Sequence, residues 1–383
     1  MNFKLTLIAF FTILYSSCFA FFPIKQMTLE EKVGQLLMVC FNGEKINNDA
    51  KFLIQDIKVG GIIYYNWSNG LYSPEQVQTL STDLQNLVKT NQNPIPLLIA
   101  VDQEGGIVAR LKTGFTKFPG NKAIGETSNP QLAENVALTI GRELRAVGIN
   151  MNLAPVVDVN SNLQNSMMEA RSFGETAETV FAFGEKALTG YKQAQVIATL
   201  KHFPGYGSAI LDPHKDLPIV HKSKKELEQV DLFPFAKLAS SADAIMTAHI
   251  LMPALDTENC STLSEKTLHY LRNTIGFQGV IITDSLVMEG VLKKCLTVDE
   301  AAIQALKAGC DILILGGRLL IDENSKLALT TADIQRIHNS IIQAIKMGRI
   351  PEARVNQAVE RILSLKKRYP ISKNDTSNCF ENH

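Results

Sequence analysis

Eight short apolar segments alternate with longer amphipathic ones along this chain, and no other feature limits its possible folds so strongly. The apolar segments are rich in Ile, Val and Leu without polar alternation, which is typical of parallel strands covered on both faces. They lie at 38–41, 61–65, 96–101, 151–157, 196–202, 244–248, 280–283 and 311–315. Helical patterns separate most of them, at 75–88, 130–147, 177–194, 223–238, 265–273 and 298–308. Eight alternating β and α units predict an α/β protein with a (β/α)8, or TIM, barrel.

A doubly wound open sheet is the alternative architecture. It usually has fewer units and a glycine-rich phosphate turn after its first strand, and this sequence has no such turn. The 383 residues could form one large barrel or two modest domains, but no linker rich in Pro, Gly and Ser divides them. We therefore predict a single barrel domain over residues 21–369, followed by a polar tail at 370–383.

The first 20 residues have the pattern of a secretory signal peptide. A short basic start precedes an apolar run at 5–15, and Ser16, Ser17, Cys18 and Ala20 are small residues suited to a cleavage site. The run is too short for a comfortable membrane span. We therefore expect export to the periplasm or the medium. Lipid attachment at Cys18 and an ordinary N-terminal helix are the two alternatives.

The charge balance argues against polyanionic partners. Lys and Arg together number 38, and so do Asp and Glu, so no net field draws the chain to nucleic acid. The metal-binding patterns C-x-x-C, H-x-H and H-E-x-x-H do not occur, although Asp212, His214, Asp216 and His249 could converge in principle. We expect no metal and no cofactor, and we favour a monomer.

Polar residues follow the apolar segments where a barrel enzyme places its chemistry, at the carboxyl ends of its strands. Asp102 follows the third segment, Lys201 and His202 end the fifth, and Asp284 follows the seventh. Asp284 could be a nucleophile towards an electron-poor carbon, or it could cap the next helix. Trp67, just after the second segment, could line a sugar subsite or pack at the barrel mouth.

The loop after the fifth segment carries Asp212 and His214. A histidine titrates near neutral pH and can both give and take a proton. In an extended loop the two side chains point to the same side, so Asp212 could orient the imidazole as the carboxylate of a serine-type triad does. A surface loop with solvated polar residues is the alternative interpretation.

Five residues are candidates for ligand binding. Lys201 and His202 can hydrogen-bond ligand hydroxyls, and Asp102 could bind vicinal hydroxyls with both oxygens, which suits a sugar. Arg110 and Arg171 could contact ligand oxygens or hold neighbouring carboxylates. The ordinary alternatives are salt bridges for the arginines and a satisfied core histidine for His202.

Nine motifs occur along the chain in this order: LEEKVGQ, DQEGG, NLAPVVD, RSFG, KHFPG, MTAH, GFQG, TDSLVM and KAG. Together they resemble glycoside hydrolase family 3, and within it the bacterial β-N-acetylglucosaminidases of peptidoglycan recycling. The resemblance covers nearly the whole chain after residue 28.

The resemblance implies a single-domain barrel enzyme that releases terminal β-linked GlcNAc from muropeptides or related glycans with retention of configuration. Asp284 matches the family's catalytic nucleophile, His214 its acid/base, and Asp212 the partner of that histidine. The positions that hold the terminal sugar are matched by Asp102, Arg110, Arg171, Lys201 and His202. We expect no second α/β domain of the kind that larger family members carry.

Three positions depart from the family pattern. Tyr206 replaces a usual second histidine, Ile107 a usual arginine, and Pro213 a usual Ser or Thr. None of them removes a catalytic group. Three alternative functions stay open: a GlcNAc phosphorylase, because a histidine acid/base does not repel phosphate; a β-glucosidase; and an exported protein that binds cell-wall fragments without turnover.

Overall fold

The structure is a computed structural model that describes residues 24–162, 165–209, 217–317 and 328–369. The predicted signal peptide, the predicted polar tail and the predicted pair Asp212 and His214 lie outside these residues, so those predictions stay predictions. Within the described ranges, no helix is both long enough and apolar enough to cross a membrane.

Eight parallel strands close into a barrel, which confirms the predicted (β/α)8 fold. The barrel strands are β1 (Leu37–Val39), β2 (Gly61–Ile63), β3 (Leu98–Val101), β6 (Met151–Asn152), β7 (Ile197–Phe203), β8 (Ala244–Thr247), β9 (Val280–Thr283) and β10 (Leu313–Leu315). A short antiparallel hairpin follows β3 and consists of β4 (Gln103–Gly105) and β5 (Val108–Ala109). All residues of the eight barrel strands are buried, as expected for strands covered on both faces.

Strand order around the barrel follows the chain. The last barrel strand, β10, pairs with β1 through Leu313 and Leu37. A single parallel bridge between Ile282 and Ile312 joins β9 to β10 and closes the barrel. The fourth strand is shorter than the predicted 151–157 because Pro155 has no N–H to donate, and pairing beyond it consists of one bridge from Val156 to Lys201.

Helices surround the barrel. The α-helices are α1 (Leu29–Gln35), α2 (Asn48–Lys51), α3 (Asn66–Asn69), α4 (Pro74–Val88), α5 (Asn121–Gly125), α6 (Pro130–Ala146), α7 (Ser166–Glu169), α8 (Ala177–Gln193), α9 (Lys224–Gln229), α10 (Phe233–Leu238), α11 (Glu265–His269), α12 (Glu289–Cys295), α13 (Val298–Ala308), α14 (Thr331–Lys346) and α15 (Glu352–Arg368). Shorter helical turns occur at Ile24–Gln26, Phe52–Asp56, Ser261–Leu263 and Tyr270–Thr274.

The predicted helix 223–238 is two helices, α9 and α10. Pro234 lies in the first turn of α10, where its missing N–H removes no helical bond. Inside one continuous helix the same proline would break a bond and clash with the preceding turn. The break between the two helices contains Asp231, whose side chain is fully buried.

The amino-terminal end of the barrel holds a buried lysine, Lys366, on α15. Its Nζ donates to Gln35 Oε1 and to the carbonyl of Gly60, both at 2.8 Å. Gln35 precedes β1 and Gly60 precedes β2, so this contact lies at the end opposite the carboxyl termini of the strands. Both partners are neutral, and burial lowers the pKa of Lys366 to about 7.

Lys366→Met is expected to stabilise the protein more at pH 7.5 than at pH 9.5. The unfolded chain binds this proton below pH 10, whereas the folded chain resists binding it until about pH 7, so wild-type stability falls as pH falls through this interval. The advantage of the variant should therefore grow by roughly 2 kcal/mol between pH 9.5 and 7.5. Urea unfolding of both proteins at the two pH values measures the difference, in which the other titrating groups cancel. A difference that does not change with pH would contradict the prediction.

Candidate active site

Asp102 follows β3 and lies between two cations. Its Oδ1 accepts a hydrogen bond from Lys201 Nζ at 2.9 Å, and its Oδ2 is 3.6 Å from Arg110 Nη2. Burial opposes ionisation of Asp102, but Lys201 and Arg110 outweigh it and lower the pKa of the carboxyl. The side chain retains 16% of its exposure, so an ionised carboxylate faces the barrel mouth and can accept hydrogen bonds from a ligand's hydroxyls.

Glu104, two residues further on in the hairpin, links two cations from different strand loops. It accepts bonds from Arg171 Nε and Nη2, both at 2.8 Å, and its Oε1 is 2.6 Å from Lys201 Nζ. Burial would raise the pKa of Glu104, but Arg171 and Lys201 lower it far below its usual value. Conversely, Asp102 and Glu104 overcome burial and raise the pKa of Lys201. Asp102, Glu104 and Lys201 therefore all stay charged at neutral pH.

His202 is fixed by a carboxylate from the neighbouring strand loop. Its Nδ1 lies 2.6 Å from Asp158 Oδ2, and the same carboxylate accepts the backbone N–H groups of His202 and Tyr206. Asp158 is fully buried. The ring proton belongs on Nδ1, because a carboxylate only accepts, and Nε2 can then accept from Arg171 Nη2 at 3.3 Å. His202 is thus held in one orientation and one tautomer.

Asp284 follows β9, and its backbone N–H donates to the carbonyl of Thr247 on β8 at 3.2 Å. Its Oδ1 accepts from the N–H of Ser285 at 2.7 Å, while its Oδ2 has no hydrogen bond to any described residue. Ser285 is held in turn: its hydroxyl donates to the carbonyl of Gly316, and its own carbonyl accepts from His249 Nε2 at 2.8 Å. A half-buried carboxylate on a fixed backbone, with one oxygen available, suits a nucleophile.

Aromatic rings line the mouth next to these charges. Tyr65 follows β2, stacks on Trp67 with ring centroids 5.3 Å apart, and lies 5.9 Å from the guanidinium of Arg110. Burial raises the pKa of the Tyr65 phenol well above its usual value, and the negative charges of Asp102 and Asp284 raise it further. Tyr65 therefore lies against Arg110, the cation that faces Asp102.

The structure brings together the five residues that the sequence suggested for ligand binding, namely Asp102, Arg110, Arg171, Lys201 and His202. Asp284 lies at the same end of the barrel, two strands beyond β7. Asp212 and His214 lie outside the described residues, so the site geometry says nothing about their predicted roles.

Two charged side chains of the site, Glu104 and Asp158, are not among the candidates that the sequence suggested. Glu104 stands in the DQEGG motif, two residues after Asp102, and was assigned no role. Asp158 ends the NLAPVVD motif, and nothing in the sequence identifies it as the partner of His202. The available signal was a carboxylate next to an apolar strand end, which is costly to bury unless it is paired.

Within the described ranges, no three His, Cys, Asp or Glu side chains converge in a way that could hold a metal ion. His249, one of the conceivable ligands, uses both ring nitrogens in hydrogen bonds to Thr262 and Ser285. Three of the conceivable ligands, Asp212, His214 and Asp216, are outside the described residues.

A barrel with a charged cluster at the carboxyl ends of its strands is typical of an enzyme, and comparison with known proteins identifies the family. Residues 28–365 match the glycosyl hydrolase family 3 N terminal domain. The chain belongs to glycosyl hydrolase family 3.

Individual relatives agree with this placement. Beta-hexosaminidase A from Pseudoalteromonas piscicida is 34% identical over 384 residues, covering 90% of this chain and 62% of that protein. A beta-hexosaminidase from Thiobacillus denitrificans is 32% identical over 344 residues, covering 86% of this chain and 93% of the relative. The structure of a family 3 β-N-acetylglucosaminidase from Paenibacillus sp. str. FPU-7 superposes with a TM-score of 0.84 at 41% identity, covering 90% of this chain and 63% of that one. The chain therefore spans about three fifths of the length of the first and third of these relatives.

Glu104→Gln is expected to destabilise the fold by about 3 kcal/mol, because an amide places N–H donors against Arg171 or Lys201 and leaves buried cations without their partner. Urea unfolding at pH 7 measures the loss. Glu134→Gln, which breaks the more exposed ion pair with Lys186 on the outer helices, is the matched control and should cost much less. Since the pKa of Glu104 is lowered, the cost should shrink as pH falls below about 4. Equal losses in the two variants would contradict the prediction.

Proposed function

We propose that this protein is an exo-acting, retaining β-N-acetylglucosaminidase that releases terminal β-linked GlcNAc. The proposal rests on Asp284, whose Oδ2 has no hydrogen bond to any described residue, and on the charged cluster around Asp102 at the same end of the barrel. The printed names of the relatives, beta-hexosaminidase and β-N-acetylglucosaminidase, support this substrate class.

The proposed reaction is a double displacement. An oxygen of Asp284 attacks the anomeric carbon, the glycosidic C–O bond breaks, and His214 gives its proton to the leaving oxygen, so that a covalent glycosyl-enzyme forms. Water then attacks the same carbon, His214 takes a proton from that water, and the bond to Asp284 breaks. Asp212 would hold the imidazole of His214 and stabilise its cation.

The described residues supply binding for the terminal sugar. Asp102 and Lys201 offer an acceptor and a donor 2.9 Å apart, a spacing that suits adjacent sugar hydroxyls. Arg171 and His202 extend this polar surface, and their own partners, Glu104 and Asp158, keep them in place before the ligand arrives. Such preorganisation lowers the entropy cost of binding.

The proposed physiological substrates are muropeptides derived from peptidoglycan, or related GlcNAc-containing glycans. Export by the predicted signal peptide would place the reaction in the periplasm or outside the cell. The aromatic pair Tyr65 and Trp67 at the barrel mouth is suited to contact sugar rings beyond the terminal one.

A panel of aryl β-glycosides tests the activity itself. Release from the GlcNAc glycoside in excess over the glucose and GalNAc glycosides is expected, with no dependence on phosphate. Formation of GlcNAc 1-phosphate only when phosphate is added would make the protein a phosphorylase, and preference for glucose would make it a β-glucosidase. Calorimetric binding of GlcNAc oligomers without turnover of any glycoside would show a binding protein.

Asp284→Ala is expected to lower kcat/KM for the aryl GlcNAc substrate by roughly a thousandfold or more, because it removes the proposed nucleophile that forms the covalent intermediate. Steady-state kinetics measure the loss. Asp299→Ala, which removes a carboxylate on α13 paired with Arg336, is the matched control and should retain activity. A near wild-type rate for Asp284→Ala would show that the nucleophile is a different group.

His214→Ala is expected to lower kcat/KM most for substrates whose leaving group needs a proton in order to depart. For GlcNAc glycosides with a poor leaving group, kcat/KM should fall on the order of a hundredfold or more, whereas a dinitrophenyl glycoside should lose little. The measurement is kcat/KM against leaving-group pKa for both proteins. Equal losses on all substrates would rule out His214 as the general acid.

A further inference from the structure

Four polar side chains meet where the chain enters and leaves the segment 210–216. Lys222 Nζ lies 2.7 Å from Asp231 Oδ2 and 3.3 Å from Ser161 Oγ. The hydroxyls of Ser161 and Ser208 are 2.8 Å apart, Ser208 donates to Asp231 Oδ1, and Lys222 also bonds to Ser208. The carboxylate of Asp231 therefore holds a hydroxyl from before the segment and an ammonium from after it. We call residues 205–208, before the segment, and residues 217–222, after it, the two stems.

Asp231 is built into the fold rather than placed at its surface. It lies fully buried in the break between α9 and α10, on a different part of the chain from both stems. The backbone before the segment packs directly on it: a Cβ at Gly205 would lie 2.7 Å from the Cβ of Asp231, and Gly205 has φ +123°, which only glycine adopts readily. The glycine of the KHFPG motif thus permits this close approach.

The stem before the segment is also fixed to the sugar-binding part of the site. The N–H of Tyr206 donates to Asp158 Oδ1 at 2.7 Å, and Asn165 Nδ2 donates to the carbonyl of Tyr206 at 3.0 Å. Asp158 is the same carboxylate that holds His202. A displacement of this stem is therefore resisted by the residue that orients a ligand-binding histidine.

The stem after the segment is attached to a different part of the barrel. Backbone bonds from Val220 to Leu251 and from Leu251 to Pro218 attach it to the loop after β8. In the described part of the chain, Lys222 is the residue of this stem whose side chain joins it to Ser208 and Asp231. Because Asp231 is buried, its attraction for Lys222 is screened less than that of a surface pair.

We infer that Lys222 and Asp231 are positioning residues for acid catalysis, which act by holding together the two stems that flank Asp212 and His214. The inference rests on the proposed function, because it takes His214 as the general acid. A general acid must lie within hydrogen-bond distance of the leaving oxygen, and a displacement of about 1 Å can cost on the order of a hundredfold in rate. Neither Lys222 nor Asp231 needs to touch substrate for this effect.

The test is Lys222→Met, a change that removes the ammonium and keeps most of the side chain. For GlcNAc glycosides with poor leaving groups we expect kcat/KM to fall on the order of ten- to a hundredfold, with little loss for the dinitrophenyl glycoside. The ratio kcat/KM covers only the steps through sugar transfer to Asp284, so a slow second step does not obscure the result. The slope of log kcat/KM against leaving-group pKa should become steeper, as in His214→Ala.

Three further variants make the result specific. Lys186→Met removes the lysine of the Lys186–Glu134 ion pair on the outer helices and should leave the slope unchanged. Ser208→Ala deletes only a half-buried hydroxyl, preserves the fold, and should steepen the slope in the same direction by a smaller amount. The double variant Lys222→Met/Asp231→Asn should lose no more of kcat/KM than the worse of its two single variants, since both substitutions remove the same contact.

The outcomes separate the two proposals. An unchanged slope in Lys222→Met and Ser208→Ala, with a steeper slope in His214→Ala, overturns this inference and leaves the proposed function standing. Equal losses for all leaving groups also overturn it, since that result indicates a merely structural role. If the wild-type protein turns over GlcNAc glycosides but His214→Ala leaves the slope unchanged, both the acid role of His214 and the inference are overturned.

Discussion

The ammonium of Lys201, buried between Asp102 and Glu104, is the interaction on which the rest of the site depends. Two carboxylates that approach one another inside a protein repel unless a cation separates them, and Lys201 lies within 2.9 Å of both. Glu104 then fixes Arg171, Arg171 contacts His202, and His202 is held by Asp158. One charge network therefore connects the loops after β3 and β6 with the end of β7, and Asp102 remains its most exposed acidic member.

The two ends of the barrel use buried charge differently. At the amino-terminal end, the fully buried Asp311 is shared by Arg272, Arg354 and Arg361, and the first two also donate to backbone carbonyls. These charges are paired inside the protein, although Arg354 Nη1 has no hydrogen-bond partner among the described residues. At the carboxyl end, Asp102 and Asp284 each retain capacity to accept hydrogen bonds, which a ligand can use. This division matches the usual separation of stability and catalysis in such barrels.

The barrel could be predicted from sequence because each of its strands is a short apolar run, and the predicted bounds were right to within two residues for every barrel strand except β6. The errors have physical reasons. Pro155 shortened the fourth strand, and Pro234 with Asp231 divided a helix whose apolar spacing looked continuous. Local propensity and periodicity reflect the pattern of apolar residues. They do not show that Asp231, between α9 and α10, is buried against Lys222 and Ser208, which lie outside both helices.

By itself, the sequence determined the fold class, the end of the barrel at which polar groups collect, and the identity of the candidate ligand-binding residues, because strand ends and charged side chains can be read locally. Only the tertiary structure decided which charges neutralise one another. Glu104 lies 67 residues from Arg171, and Asp158 lies 44 from His202, so no spacing rule pairs them. Burial made those pairings necessary, since an unpaired charge is costly away from water, and burial is a property of the folded chain.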